Sequence, residues 1–340
     1  MKHRVDSGTL DQIETELPTL TIELCSKEFD IIIEGLRSKA IPANEIVIFL
    51  VSESGLKTIE LNKRIKILVD TLENIDNMPV ISLQLTDRRT ILVGYEAPYI
   101  PFFQHISSSK CKITNLNIDL AYSKACRGLL QLGFDGNTSI KTLRMKCDSQ
   151  AWKCLEGLKG PIGSLKLYAP PKATISKKGI KSLISLLKQN QRTLTTLEVK
   201  YDIEDSEKDI LAVVSKINTL TRFKWVNYHK FSGDAIASVL ESNPKLEELI
   251  LESACETKAK AMLKPITTLC QSKTRILKLN LSNVGVFIPA LEDNKTITHL
   301  KISDHALFYQ KALQSIATMK CVQRKKILRK ILIFLFATEN

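Results

Sequence analysis

One spacing constrains what this chain can fold into. An apolar residue, two variable residues, an apolar residue, one variable residue and another apolar residue recur along the whole length. The clearest copies are Ile113-Thr-Asn-Leu116-Asn-Ile118, Ile140-Lys-Thr-Leu143-Arg-Met145, Ile162-Gly-Ser-Leu165-Lys-Leu167 and Leu194-Thr-Thr-Leu197-Glu-Val199. Leu246-Glu-Glu-Leu249-Ile-Leu251, Ile276-Leu-Lys-Leu279-Asn-Leu281 and Ile297-Thr-His-Leu300-Lys-Ile302 follow, with Leu220-Thr-Arg-Phe223-Lys-Trp225 as an aromatic variant. Val80-Ile-Ser-Leu83-Gln-Leu85, Ala43-Asn-Glu-Ile46-Val-Ile48 and Leu17-Pro-Thr-Leu20-Thr-Ile22 carry the pattern toward the start. The last two apolar positions of each copy are two residues apart, which puts them on one face of a short strand.

Between copies the period lengthens to that of a helix. Phe29, Ile32, Ile33 and Leu36 recur at i, i+3, i+4, i+7, as do Ile180, Leu183, Ile184 and Leu187, and Ile210, Val213, Val214 and Ile217. Each set makes one apolar stripe on an amphipathic helix. Ser206, three residues before Asp209, resembles a capping box. Asn190 and Asn243-Pro244 supply turns before the next strand. Strand, turn, helix and turn with a right-handed crossover stack parallel strands on one side and helices on the other.

About eleven copies agree, and the first half of the leucine-rich-repeat consensus is the spacing they share. The chain resembles the ribonuclease-inhibitor type of leucine-rich repeat over about residues 17–320. The resemblance implies an α/β solenoid, a horseshoe with parallel strands on its concave side and helices on its convex side. The expected organisation is a lead-in at 1–16, the solenoid at 17–320, and a basic and apolar cap or tail at 321–340. The chain departs from the family pattern in two ways. Spacing between copies runs from the low twenties to the high thirties. The Asn or Cys that normally follows each strand is mostly missing; Cys25 alone holds that place. The longest insertion, around Arg88–Lys110, contains Ala97-Pro-Tyr-Ile-Pro-Phe-Phe103 and reads either as an irregular helix or as a projecting contact loop.

If the strands are placed correctly, the residues flanking the second apolar position and following the third project into the concavity. In the early strands these are Thr19, Thr21, Glu23; Glu45, Val47, Phe49; Ser82, Gln84, Thr86; and Asn115, Asn117, Asp119, a neutral to acidic set. The middle strands gather cations, and Arg144, Lys146, Lys166, Tyr168, Glu198, Lys200, Arg222 and Lys224 are the candidate partner-binding residues. Adjacent strands bring such residues about 5 Å apart. Glu248, Ile250 and Glu252 then reverse the sign, and Lys278, Asn280, Ser282 and His299, Lys301, Ser303 complete the series. Arg and Tyr are enriched among residues that dominate interfaces, and solenoids commonly bind through the strand face. The formal charge of +13 favours an acidic partner. The interleaved acids favour a protein over nucleic acid, whose phosphates ask for a continuous basic track.

Chemistry has few footholds. There is no phosphate-binding glycine loop, no H-E-x-x-H, no G-x-S-x-G and no EF-hand loop. His3, His105, His229, His299 and His305 are scattered, as are the eight cysteines, which lack zinc-site spacing and read as reduced, buried thiols. The expectation is a non-enzyme with no cofactor and no metal. No apolar run nears the ~20 residues of a membrane helix, and the polar start carries no export signal.

The tail Arg324-Lys-Lys-Ile-Leu-Arg-Lys-Ile-Leu-Ile-Phe-Leu-Phe336 reads as a cap for the last repeat, as a basic amphipathic helix on anionic lipid, or as a targeting signal. The expected function is a monomeric, cytoplasmic protein-interaction scaffold that recruits, sequesters or inhibits a partner with an acidic surface. The layout is similar to standalone leucine-rich-repeat effectors of intracellular bacterial pathogens, which implies action in a host cytoplasm. The alternatives are nucleic-acid or membrane-surface binding through the basic patch and tail, or a ubiquitin-ligase substrate adaptor.

Overall fold

In a computed structural model the chain forms two compact units, Met1–Ile162 and Gly163–Asn340. The structure describes residues 19–24, 26–38, 44–49, 58–75, 80–84, 97–120, 126–147, 149–168, 175–201, 206–227, 232–253, 276–280 and 299–303. The 321–340 tail therefore lies outside the described residues, as do His3, His229 and His305.

The first unit alternates strands and helices: β1 (Thr19–Glu23), α1 (Phe29–Arg37), β2 (Glu45–Phe49), α2 (Thr58–Asn74), β3 (Val80–Gln84), α3 (Ile100–Ser107), β4 (Asn115–Leu120), α4 (Cys126–Phe134) and β5 (Thr142–Cys147). Its five strands pair in parallel and in chain order. The second unit continues with β6 (Ser164–Tyr168), α5 (Lys177–Gln189), β7 (Thr196–Tyr201), α6 (Glu207–Val214), β8 (Arg222–Asn227), α7 (Gly233–Ser242), β9 (Glu248–Ser253), β10 (Ile276–Asn280) and β11 (His299–Ser303). Its six strands are likewise parallel and sequential. A parallel pair needs a crossover between its strands, and the helical periods read from the sequence fall in those crossovers.

The inward positions of the repeat build the core. Ile22, Ile46, Ile48, Ile81, Leu83, Leu116, Ile118, Leu143 and Met145 are all buried in the first unit, and Leu165, Leu167, Leu197, Val199, Phe223, Trp225, Leu249 and Leu251 in the second. Phe223 and Trp225, the aromatic variant, have ring centroids 5.8 Å apart inside this row. Each such side chain contributes roughly 1.5–3 kcal/mol by leaving water. The helices supply the other wall: Phe29, Ile33 and Leu36 from α1, and Ile210, Val213, Val214 and Ile217 from α6 and its exit, are buried. In α5 the buried stripe is Ser182, Leu183, Leu186 and Leu187. Ile180 and Ile184 flank it half-buried, so the helix is rolled relative to the sequence stripe.

The strand register corrects two copies of the motif. Ile81 and Leu83 lie beside Ile46 and Ile48, so the inward pair of β3 is Ile81/Leu83 rather than Leu83/Leu85. Leu277 and Leu279 likewise lie beside Leu249 and Leu251, displacing Leu279/Leu281. In both stretches three apolar residues share one parity, so alternation alone allows a two-residue slide that keeps every side chain on its own face. The correction evens the spacing: β3 pairs with an offset of 35 residues to β2 and of 35 residues to β4.

Two further local expectations change. Ser206 makes no side-chain cap to α6, whereas Ser176 does cap α5, its hydroxyl accepting from the Gly179 N–H at 3.2 Å. The insertion around residues 88–110 is helical where described, a 3-10 turn Ala97–Tyr99 leading into α3. Pro98, Tyr99, Phe102, Phe103 and Ile106 are buried there, so this apolar cluster faces the core rather than projecting.

The missing asparagine ladder has substitutes. At successive strand entrances one carbonyl accepts two backbone N–H groups from the next repeat: Thr114 from Lys141 and Thr142, Gly163 from Thr195 and Thr196, Thr195 from Thr221 and Arg222, and Thr221 from Glu247 and Glu248, all within 2.8–3.1 Å. Buried Asn137, Asn190 and Asn243 sit just before strands and donate side-chain N–H groups to helix carbonyls at Ile106, Leu186 and Val239. In the first unit Arg64 of α2 donates to the carbonyls of Leu24 (3.0 Å) and Ser26 (2.7 Å), which follow β1. Its guanidinium stacks 5.1 Å from the Phe29 ring centroid.

Candidate functional site

The alternation of the strands sets a second row of residues opposite the core, and the register fixes who neighbours whom. In the second unit Lys166, Glu198, Lys224 and Ile250 are successive partners across β6–β9. Tyr168, Lys200, Val226 and Glu252 form the next row, and Ser164, Thr196, Arg222 and Glu248 the preceding one. Six of the eight candidate residues therefore share one face of three adjacent strands, β6–β8.

The cations there are interleaved with acids. Glu198 is almost fully buried, yet Oε1 has Lys166 Nζ at 3.2 Å and Arg222 Nε at 3.1 Å, while Oε2 accepts the Tyr168 hydroxyl. Arg222 reaches on to Glu248 Oε2 at 3.0 Å, and Lys224 Nζ lies 3.1 Å from Glu252 Oε1. Burial alone pushes the Glu198 carboxyl up. The Tyr168 hydrogen bond and the charges of Lys166 and Arg222 outweigh that and hold it below the usual glutamate range. Glu198 is thus the hub of a chain running Lys166–Glu198–Arg222–Glu248. The sequence shows Glu198 as an interruption in a basic patch; the register makes it the group that organises the patch. The signal was present, because aligning the copies puts Glu198 between Lys166 and Lys224.

Lys200 differs from its neighbours. It has no carboxylate at ion-pair distance among the described residues, and it lies half-buried between Tyr168 and Val226. Val226 and Ile250 are 5% and 3% exposed, so the face contains an apolar floor between the charged tips.

Arg144 and Lys146 belong to the first unit, exposed on β5. Lys146 Nζ is 3.0 Å from Asp119 Oδ2 on β4, both side chains largely in water, where such a pair contributes ~0–1 kcal/mol. On the same face of that unit, three residues of the neutral-to-acidic set read from the sequence are joined in one hydrogen-bonded network. The Ser82 hydroxyl donates to Glu45 Oε1, and the Asn117 amide donates to Ser82 Oγ at 3.1 Å.

Among the described residues no group of three His, Cys, Asp or Glu side chains is placed to hold a metal ion. Cys111 and Cys154 are free and buried, and burial pushes the Cys154 thiol up to about 11, so it stays protonated at neutral pH. His105 is buried on α3 with Nδ1 3.3 Å from Glu73 Oε1. No helix among the described residues is long and apolar enough to cross a membrane.

No protein-family model matches the chain, and no curated protein matches it. Among solved structures, it is similar to the tropomodulin C-terminal domain of Caenorhabditis elegans at 12% identity. The match covers 45% of this chain and 98% of that chain, with a TM-score of 0.33.

Proposed function

We propose that the chain is a leucine-rich-repeat solenoid of the ribonuclease-inhibitor-like type, a non-enzymatic scaffold that holds another protein on its strand face. The observation that carries this reading is the face of β6–β9, where Lys166, Tyr168, Lys200, Arg222 and Lys224 surround the apolar Val226 and Ile250. A rigid parallel sheet presents these groups in fixed register. The hydrogen bond and ion pairs of Glu198 hold Tyr168, Lys166 and Arg222 in place before any partner arrives, which lowers the ordering cost of association. Alternating signs and an apolar floor suit a protein surface of mixed charge. A nucleic-acid backbone would meet Glu198, Glu248 and Glu252 along the way.

The test is affinity capture with mass spectrometry on wild type and on the Arg144→Glu, Lys166→Glu, Arg222→Glu triple variant. A control variant, Lys63→Glu, Lys181→Glu, Lys188→Glu, makes the same charge change on exposed helix residues. The triple variant is expected to lose the wild-type partner while the control keeps it, with matching circular dichroism. Retention of the partner by the triple variant sinks the reading. The recruiting, sequestering or inhibiting role, and action as an effector in a host cytoplasm, belong to this proposal and rest on the identity of the captured protein.

A further inference from the structure

The strand face described above is mostly self-satisfied, and its pattern of charge pairing singles out one position. Of the four cations on β6–β8, Lys166 and Arg222 share Glu198, Arg222 also engages Glu248, and Lys224 engages Glu252. Each acid on this stretch of β7–β9 is therefore already opposite a cation of the same face. Lys200 has no such acid among the described residues. It stands in register between Tyr168 on β6 and Val226 on β8. The Tyr168 hydroxyl is committed to Glu198, which fixes that ring beside the lysine, and Val226 is buried on the other side. A half-buried lysine between an aromatic and an aliphatic neighbour, with no carboxylate opposite it among the described residues, gains most from a carboxylate that arrives together with apolar surface, because that surface then desolvates the two charges as a pair.

We infer that Lys200 is the specificity-determining anchor of the face, and that its ligand is a protein segment carrying one carboxylate flanked by apolar side chains, the carboxylate on Lys200 and the apolar residues over Tyr168 and Val226. The inference rests on the proposed strand-face reading and narrows it to a single charge. The remaining cations then serve the fold of the face itself. Lys166, Arg222 and Lys224 hold it in shape through Glu198, Glu248 and Glu252, and Lys200 meets the partner.

The experiment uses the full-length chain as bait for a displayed library of random linear peptides, with selections run in parallel on wild type and Lys200→Met. Methionine keeps the reach and the apolar stem and removes the charge. Wild-type selections are expected to converge on an Asp or Glu beside apolar residues, and Lys200→Met selections to lose that carboxylate. A synthetic peptide from the wild-type pool is then measured by fluorescence anisotropy. Its Glu→Gln or Asp→Asn form is expected to bind about tenfold weaker to wild type, and no weaker than its parent to Lys200→Met, as a direct pair requires. Selections without a shared carboxylate overturn the inference. So does a peptide that binds Lys200→Met as tightly as wild type, or one displaced by inorganic phosphate at equal concentration, which marks a bare anion site. If the peptide ignores Lys200→Met but is lost in the Arg144/Lys166/Arg222 triple variant, this inference fails and the strand-face reading stands. If it binds the triple variant unchanged, the strand-face reading fails as well.

Discussion

Glu207 opens α6 with its carboxylate buried among three donors: the Trp225 indole at 3.0 Å, the Asn227 amide at 3.3 Å and the Ser232 N–H at 2.8 Å. It ties the start of α6 to the end of β8 and to the approach to α7. Burial outweighs those donors and pushes its pKa up. Replacing it with Ala removes the carboxylate that accepts from the buried Trp225 indole, the Asn227 amide and the half-buried Ser232 N–H, so Glu207→Ala is expected to cost about 2 kcal/mol in urea unfolding. His105 shifts the other way, because burial lowers its pKa against the opposing pull of Glu73. A depressed histidine stabilises the fold above its ordinary value of 6.5, and that contribution is lost as pH falls through the folded value. The wild-type urea midpoint should therefore fall between about pH 7 and about pH 5 by more than that of His105→Leu. Equal falls would remove His105 from the acid response. Glu198 adds a later component. Its depressed pKa stabilises the face above the ordinary 4.5 and is lost as pH falls through the folded value, so Glu198→Gln should flatten the curve below that pH.

Between elements, the turn from α4 into β5 is set by backbone contact. Gly136 has φ +74°, in the left-handed region, and its N–H donates to the Gly157 carbonyl at 2.9 Å. Gly160 donates to the Asn137 carbonyl, and a Cβ on it would meet the Thr138 backbone, with the carbonyl carbon only 2.7 Å away. No rotamer change relieves a clash with backbone, so Gly160→Ala is expected to destabilise by about 2–3 kcal/mol. Gly136→Ala has open space around the new methyl and is expected to lose only the ~1 kcal/mol of the strained φ. If the order of these two denaturation midpoints is reversed, the close-approach account is wrong. Arg64 is the corresponding device between α2 and the turn after β1. Arg64→Lys should recover only part of the stability lost in Arg64→Ala, because an ammonium can still reach the Leu24 and Ser26 carbonyls but loses the Nε hydrogen bond to Glu60 and the flat guanidinium over the Phe29 ring.

At the scale of the molecule, the chain offers a face and a set of crossovers. Three of the four cations on β6–β8 are matched to acids of β7–β9, which sets an expectation for nucleic acid. Duplex DNA or RNA should bind no tighter than the non-specific range of ~10⁻⁴–10⁻⁶ M at physiological salt. A tighter complex whose affinity collapses with salt would favour the basic surface over the protein-binding reading. The first unit's face carries a different chemistry, with Glu45, Ser82 and Asn117 in one hydrogen-bonded cluster, so the two units present unlike surfaces to a partner.

The repeat spacing alone determined the alternation of parallel strands and helices, because apolar residues two apart and apolar residues three and four apart have few ways to be buried together. It also put Lys166, Tyr168, Glu198, Lys200, Arg222 and Lys224 on one side of their strands, since parity is a local property of the backbone. Register was beyond it where Ile81, Leu83 and Leu85, or Leu277, Leu279 and Leu281, offered equivalent slides; only pairing with the neighbouring strands removed the ambiguity. The helix faces and caps were set the same way, with α5 rolled toward Leu186 and α6 opened by Glu207 rather than by Ser206. The character of the face was likewise a tertiary outcome. Residues that read as a basic patch become, Lys200 excepted, a hydrogen-bonded and charge-paired array with Glu198 at its hub, because ion pairs are fixed by which strand lies next to which. That neighbourhood, invisible along the chain, leaves Lys200 as the cation of β6–β8 with no carboxylate at ion-pair distance among the described residues.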